Sequence, residues 1–192
     1  MHYVLVLDEL VDEDDEPYGY YGIDPIDEGA LGWPWLHGER FDGEPNVPVE
    51  FRVDLDDEYA GGFSDFVDGS IPLVSKKLRN VLESCGVSNI DYYPVKVAGA
   101  EEFDEFPEYF AANVVGLVKA AGPGTLAAKT FGASGADIID KFVVDTEAVG
   151  FLPVFRLAEH LATLVVSDQV RTACEAANLL SLSFIPLDQW AT

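Results

Sequence analysis

Hydrophobic residues along the chain alternate with polar ones or gather in short runs, a pattern that predicts many short strands. VEFRVD at 49–54 alternates strictly, which is typical of a half-buried strand. The remaining strand candidates are the apolar runs at 2–7, 90–97, 109–120, 138–145, 152–157, 163–167 and 181–187. Residues 17–46 are rich in Gly, Pro and aromatic residues, and 122–137 in small residues, so both are expected to be irregular.

Two further segments carry helical periodicity. Apolar residues recur at i, i+3, i+4 and i+7 in both, which gives each helix one apolar face. The two sets are Leu78, Val81, Leu82 and Cys85, and Val170, Ala173, Cys174 and Ala177. Ser75 and Ser167 precede them as predicted N-caps, and Gly86 and Asn178 follow as residues that tolerate the left-handed helix end.

The two helical segments lie within an internal similarity. VSKKLRNVLESCGVSNIDYYPV at 74–95 aligns with VSDQVRTACEAANLLSLSFIPL at 166–187, and each reads as strand, capped helix, strand. About five identities in 22 positions leave both ancient duplication and convergent helix sequences open. We therefore predict one α+β domain over 1–192, with a mixed or antiparallel sheet flanked by helices. Its parts are an irregular aromatic and acidic segment at 1–48 and related units at 70–97 and 162–187.

The net charge of −24, from 35 acidic and 11 basic residues, changes the range of expected partners. Such a field repels nucleic acid and anionic membranes and attracts basic proteins. The acidic residues cluster at 8–17, 54–59 and 101–109. Solubility, or adaptation to a salty cytoplasm, is the alternative explanation for the charge.

Two of the few cations stand at an unusual place. Lys76 and Lys77 fall in the first turn of the first predicted helix, where each opposes the helix dipole by roughly 0.3–1 kcal/mol. The second segment has Asp168 and Gln169 at these positions. Either the nearby Asp65 and Asp68 compensate the two lysines, or the lysines contact a partner.

The sequence contains no legible catalytic, metal or cofactor site. The three histidines lack metal-ligand spacing, and there is no nucleophile elbow or Walker A sequence. GPGTLA at 122–127 resembles a dinucleotide loop only weakly, because no long helix follows it. We therefore expect a non-enzymatic protein without a cofactor. The acidic start and the short apolar runs suggest a cytoplasmic location, with Cys85 and Cys174 reduced.

Several longer motifs carry a family resemblance. They are SDFVDGSIPLVSKKLRNVLESCGVSNIDYYPVKV at 64–97, YFAANVV with Asn113, LPVFRL with Phe155 and Arg156, the closing stretch 164–187, and the aromatic GWPWLHGERFDGEP at 32–45. Together they resemble a bacterial immunity-protein family, number eleven in the catalogue of polymorphic toxin systems. The resemblance covers most of the chain from about residue 33 onward.

The resemblance implies a protein that protects the producing cell by binding a cognate secreted toxin, without catalysis. The toxin domain is expected to be basic, and a nuclease is one candidate. We expect no direct contact with nucleic acid or membrane, and a homodimer stays open. The alternatives are an acidic regulatory or structural interaction protein and, third, an enzyme with no legible motif.

The predicted contact surface combines acidic side chains with exposed aromatic ones, because aromatic residues often dominate binding energy and charge speeds association. Two segments qualify, of which 101–109 is preferred because a strand directly precedes it. Its candidates are Glu101, Glu102, Asp104, Glu105 and Tyr109, those of segment 12–21 are Asp14, Asp15 and Tyr20, and Lys76 and Lys77 complete the set. Trp33 and Trp35 are expected to anchor their loop to the core.

Overall fold

The structure is a computed structural model that describes residues 1–8, 10–11, 17–18, 20–55, 61–129 and 137–192. The strands are β1 (His2–Leu7), β2 (Leu10–Val11), β3 (Pro17–Tyr18), β4 (Ile23–Pro25), β5 (Val49–Val53), β6 (Phe66–Val67), β7 (Leu73–Ser75), β8 (Ile90–Ala98), β9 (Tyr109–Val114), β10 (Leu117–Val118), β11 (Leu126–Lys129), β12 (Asp137–Lys141), β13 (Val154–Leu157), β14 (His160–Ser167) and β15 (Leu182–Pro186). The helices are α1 (Glu28–Leu31), α2 (Lys76–Ser84), α3 (Thr146–Val149) and α4 (Asp168–Ala176), with 3₁₀ turns at Ala100–Glu102 and Leu187–Gln189.

Two larger sheets form the framework. The first sheet has the order β4-β5-β8-β9-β7-β6, and the second sheet has the order β10-β13-β14-β1-β15. Each contains one parallel pair, β5 with β8 and β10 with β13, among antiparallel neighbours. The expected α+β class with a mixed sheet is confirmed, although the strands divide between two large sheets where one was expected. Two small hairpins, β2-β3 and β11-β12, form separate two-stranded sheets.

Both predicted helix caps are confirmed. The Ser75 hydroxyl accepts a hydrogen bond from the Leu78 amide at 3.0 Å, and that of Ser167 accepts one from the Val170 amide at 3.4 Å. After the two helices the chain turns through positive φ at Gly86 (78°) and at Asn178 (49°). Cap residue, apolar spacing and terminator therefore act locally, as the sequence indicates.

The two strand-helix-strand units also occupy similar places in their sheets. β7 and β8 flank β9, and β14 and β15 flank β1, with every neighbouring pair antiparallel. The two strands of each unit therefore run parallel to each other with one strand between them. That these units are a true repeat, and superpose, stays a prediction.

A central core joins both sheets and both long helices. Leu78 and Leu82 of α2 pack there with Val170 and Cys174 of α4, and side chains from both sheets complete the cluster. Because neighbouring strand residues point to opposite faces, Leu73 instead belongs to the cluster on the outer face of the first sheet. That face is covered by residues 23–41 with Trp35, whereas Phe142 and Trp190 cover the outer face of the second sheet.

Two of the predicted elements were wrong in part. The single strand expected at 109–120 breaks at Gly116 (φ 148°), so that β9 belongs to the first sheet and β10 to the second. Residues 122–137 were expected to be a loop, but β11 forms a hairpin with β12, and 130–136 lie outside the described residues.

Trp35 is the loop anchor that the sequence predicts. Its side chain is 1% exposed, and its indole N–H donates to the Ala30 carbonyl at 2.7 Å. Both cysteines are free, with Cys174 buried and Cys85 partly exposed. Across the described ranges, no helix has the length and apolar character that crossing a membrane requires.

Candidate functional site

The preferred acidic segment forms a short, tightly held connection between β8 and β9. The chain turns at Gly99, whose φ of 87° is one that residues other than glycine rarely adopt. The 3₁₀ turn Ala100–Glu102 follows. The Glu101 carboxylate accepts a hydrogen bond from the Gly99 amide at 3.1 Å, which braces this turn. The segment is therefore built on the ends of two adjacent strands of the first sheet.

Aromatic side chains fix this acidic segment to the protein. Phe103 and Phe106 each contact Phe63, with ring centroids 4.8 and 4.7 Å apart. Tyr21 adds an edge contact to Phe103 at 4.8 Å. In EEFDEFPE at 101–108 the phenylalanines therefore anchor the segment by pointing inward, whereas the carboxylates between them stay exposed.

A groove opens beside this segment, which we call the acidic groove. It has a volume of about 580 Å³. Its walls are Gly62, Phe63, Asp104, Glu105, Phe106, Pro107 and Leu180. Leu180 is 53% exposed, so an apolar side chain stands next to carboxylates at the rim. This combination suits a partner side chain with an aliphatic stem and a cationic end.

The charge of the acidic groove is largely uncompensated. Glu108 pairs with Lys76 at 2.6 Å, with both side chains more than half exposed. Within the described ranges, no cation lies at ion-pair distance from the four other acids of the segment, Glu101, Glu102, Asp104 and Glu105. The negative potential is therefore available to steer a basic partner toward this surface.

The other predicted contact residues take varied positions. Tyr109 is 3% exposed and donates its hydroxyl to the Ser64 carbonyl at 2.6 Å, so the expectation that it is an exposed aromatic is wrong. Tyr20 is partly exposed, and Asp14 and Asp15 lie outside the described residues. Tyr109 is buried because β9 carries it into the cluster on the outer face of the first sheet.

The lysines at the start of α2 have structural partners, but different ones from those expected. Lys76 pairs with Glu108, and the Lys77 ammonium donates to the Asn178 carbonyl at 2.7 Å, at the end of α4. Among the described residues neither Asp65 nor Asp68 forms an ion pair with these lysines, but the Asp65 carboxylate lies beside the Ser75 cap and supplies negative charge to this helix start. Both lysines nevertheless remain exposed beside the acidic groove.

Asp65 is the central residue of this region, and its contacts go beyond the charge compensation that the sequence suggested. Its side chain is 7% exposed and accepts hydrogen bonds from the Ser75 hydroxyl and, at 2.7 Å, from the Leu180 amide. One carboxylate thus connects the cap of α2 to the turn before β15 and fixes the wall of the acidic groove. The signal in the sequence, an Asp ten residues before a capping Ser, is too weak to predict these contacts.

Arg156 is the most unusual charged group in the interior. It is 0% exposed, and its Nη1 donates to the Ala162 carbonyl at 2.8 Å, while Nε and Nη2 have no hydrogen-bond partner among the described residues. Burial lowers the pKa of Arg156 to about 10, against the raising effect of the Asp68 charge. Complete enclosure keeps this guanidinium from direct contact with a partner.

The described histidines form no catalytic arrangement. The His160 Nδ1 lies 2.8 Å from the Thr163 hydroxyl, and the His160 ring contacts Trp190, whereas His37 is exposed. Over the ranges described above, no group of three or more His, Cys, Asp or Glu residues could hold a metal ion. The arrangement that the site does offer is a rigid, acidic, partly apolar binding surface.

Comparison with known families places the chain in one class. The model of the immunity protein family Imm11 matches residues 26–189. That range covers most of the chain, so the protein belongs to this immunity protein family. A search of curated proteins found no match.

Proposed function

We propose that this protein neutralises a cognate secreted toxin by binding it directly in the cytoplasm, without catalysing a reaction. The observation that carries the proposal is the family match over residues 26–189. The acidic groove supports it, because a rigid surface of uncompensated carboxylates suits association with a basic protein.

The proposed contact surface is the acidic groove with Glu101, Glu102, Asp104 and Glu105 at its rim, and with Lys76 and Lys77 beside it. Phe63, Phe103 and Phe106 hold the rim, so little side-chain and backbone freedom is lost when a partner binds. The toxin is expected to present lysine or arginine side chains here. A nuclease whose basic cleft normally binds phosphate has this chemistry.

Protection in cells tests the function. The toxin domain encoded beside the gene is expressed in a sensitive bacterium with and without this protein. We expect growth only when both are present, and a stable complex on mixing the purified proteins. Survival without complex formation would contradict direct binding, and failure of both measurements would contradict the immunity function.

Charge neutralisation tests the surface. The variant with Glu101→Gln, Glu102→Gln, Asp104→Asn and Glu105→Gln should associate with the toxin about tenfold more slowly at low salt, and its rate should depend less on salt. The matched control neutralises four exposed acids elsewhere, Asp42→Asn, Glu44→Gln, Asp140→Asn and Glu147→Gln. Both variants change the net charge equally, so equal slowing would exclude the groove as the contact surface.

A further inference from the structure

The second sheet ends in an open edge at β15, five residues long. In the described part of the chain β15 pairs only with β1. The other edge strands of the two larger sheets are shorter, with three residues in β4 and two each in β6 and β10. Every residue of β15 is partly exposed. An edge of this length is a template on which another chain can add a strand.

The register decides which backbone groups of β15 face β1. The Asp8 amide donates to the Ser181 carbonyl at 3.0 Å, and the pairing continues without interruption into β15. Because backbone groups of a strand point alternately to its two sides, Ser183 and Ile185 are the residues that bond to β1. Their amides are therefore engaged inside the sheet.

The other residues of β15 direct their backbone groups outward. These are the N–H and C=O groups of Leu182 and Phe184 and the C=O group of Pro186. Proline has no N–H, and the position that lacks it faces outward, away from β1. Within the ranges that the structure describes, no group hydrogen-bonds to those of Leu182 and Phe184, whereas the Pro186 C=O accepts the first bond of the 3₁₀ turn that follows. The open edge thus offers two donors and two acceptors in the spacing of a sheet.

Charges at both ends of the strand indicate which kind of segment fits. At its start, Leu180 adjoins Asp104 and Glu105 across the acidic groove, and at its end Asp188 is exposed. A second copy of this chain, paired antiparallel through the same edge, would bring these carboxylates against each other. The net charge of −24 adds to that repulsion. An extended segment with cations at its ends has the opposite, favourable arrangement.

We propose that β15 accepts an extended, basic segment of the toxin as an added strand, with its cationic end in the acidic groove. This inference rests on the proposed function and specifies its binding mode. Backbone hydrogen bonds along β15 would supply affinity that depends little on the toxin's sequence. The acidic groove would supply the selection for positive charge.

Amide hydrogen exchange, measured by NMR, tests the added strand directly. In the free protein the Leu182 and Phe184 amides should exchange fast, whereas those of Ser183 and Ile185 should be protected. In the complex with the toxin domain encoded beside the gene, the two outward amides should slow by about a hundredfold. Unchanged exchange in a formed complex would overturn the added strand while leaving toxin neutralisation intact. Protection that appears without toxin as protein concentration rises would assign the edge to a second copy and also overturn it.

A pair of substitutions separates the backbone contact from the side chain. Phe184→Pro removes one outward N–H, which an edge strand tolerates, and should weaken toxin binding about tenfold or more. Phe184→Ala shortens the side chain but keeps the N–H, and should bind nearly normally. Equal affinities for the two variants, each verified as folded by circular dichroism, would overturn the proposal. Absence of any complex with the unaltered protein would overturn the proposed function together with this inference.

Discussion

Helices α2 and α4 begin with the same serine cap, but the partners of their charged first-turn side chains lie at different distances along the chain. In α4, Arg171 bonds to Asp168 at 3.0 Å and to Glu175 at 2.7 Å, all within one helix. In α2, Lys76 reaches Glu108 and Lys77 reaches the carbonyl of Asn178. The charged side chains at the start of α4 therefore have local partners, whereas those of α2 reach distant parts of the fold. The start of α4 has uncharged long-range contacts as well: the Asp168 amide donates to the Met1 carbonyl at 3.0 Å, and the Gln169 side chain to the Cys85 carbonyl at 3.5 Å.

This difference explains why two lysines are tolerated where the helix dipole disfavours them. The Lys77 ammonium lies at the carbonyl end of α4, a place where the dipole favours a cation. Asp65 supplies negative charge beside the Ser75 cap instead. The ion pairs within α4 are exposed, so each should contribute little to stability.

Removing the buried carboxylate beside α2 should have the largest effect. Asp65→Ala leaves the Ser75 hydroxyl and the Leu180 amide without their acceptor, and we expect the free energy of unfolding to fall by about 3 kcal/mol. Asp168→Ala, a change in the first turn of α4, removes an exposed partner of Arg171 and should cost much less. Urea unfolding measures both, and equal losses would show that α2 has no special connection to the fold.

The two caps should differ in the same direction. Ser75→Ala removes both the cap and the donor to Asp65, so about 2 kcal/mol should be lost. Ser167→Ala removes only a longer cap bond and should cost about 0.5–1 kcal/mol. The control variants are Ser75→Thr and Ser167→Thr, because threonine keeps a hydroxyl that can cap the helix. A larger loss at Ser167 would contradict the comparison.

At the fully buried position where α2 has Leu82, α4 has the ionisable residue Cys174. Burial raises the pKa of the Cys174 thiol to about 12, so the folded protein keeps a proton that the unfolded chain releases near pH 9. This contribution to stability is fully present below pH 9 and is lost as pH rises toward 12. Cys174→Ala should therefore make the fall of unfolding free energy between pH 9 and 10 shallower by about 1 kcal/mol per pH unit.

Leu82→Ala is the control for that experiment, because it truncates the core without removing an ionisable group. It should lower stability at every pH and leave the slope unchanged. Only slopes are compared, since both substitutions also leave a cavity. A slope that Cys174→Ala does not alter would place the alkaline titration elsewhere, for example at Tyr92 or Tyr109, whose pKa values burial also raises.

The smallest effect is expected at the exposed contact between the two helices. Lys77→Met keeps the aliphatic stem but removes the hydrogen bond to the Asn178 carbonyl, and should cost about 0.5 kcal/mol. At α4, Arg171→Met should also lower stability only slightly, and its effect should diminish in high salt as ion pairs are screened. Thermal unfolding at low and high salt measures the stability of both variants. If Lys77→Met lowers the free energy of unfolding by more than 2 kcal/mol, the contact between the helices contributes more than an exposed hydrogen bond should.

Much of the local structure could be predicted from the sequence. Alternating or continuous apolar runs located β1, β5, β8, β13, β14 and β15, and the i, i+3, i+4, i+7 spacing located α2 and α4. The caps Ser75 and Ser167, and the turns at Gly86 and Asn178, were also predictable. These features depend on contacts between residues at most about four positions apart, which the order of residues specifies directly.

The acidic segment was predictable only in part. Its charge and the exposure of Glu101, Glu102, Asp104 and Glu105 follow from composition and spacing. The burial of Tyr109 does not, because it depends on which face of the first sheet β9 presents to Phe63 and Phe106. The division of 109–120 between two sheets likewise depends on strands far away in sequence.

What the sequence by itself determined is therefore the two long helices with their caps, most of the longer strands and the excess of negative charge. Only the tertiary structure decided that Asp65 joins Ser75 to Leu180, that Lys76 meets Glu108 and Lys77 meets the end of α4, and that β15 forms an open edge beside the acidic groove. The physical reason is separation along the chain. Asp65 and Leu180 are 115 positions apart, so their contact exists only once the two units have assembled around the central core.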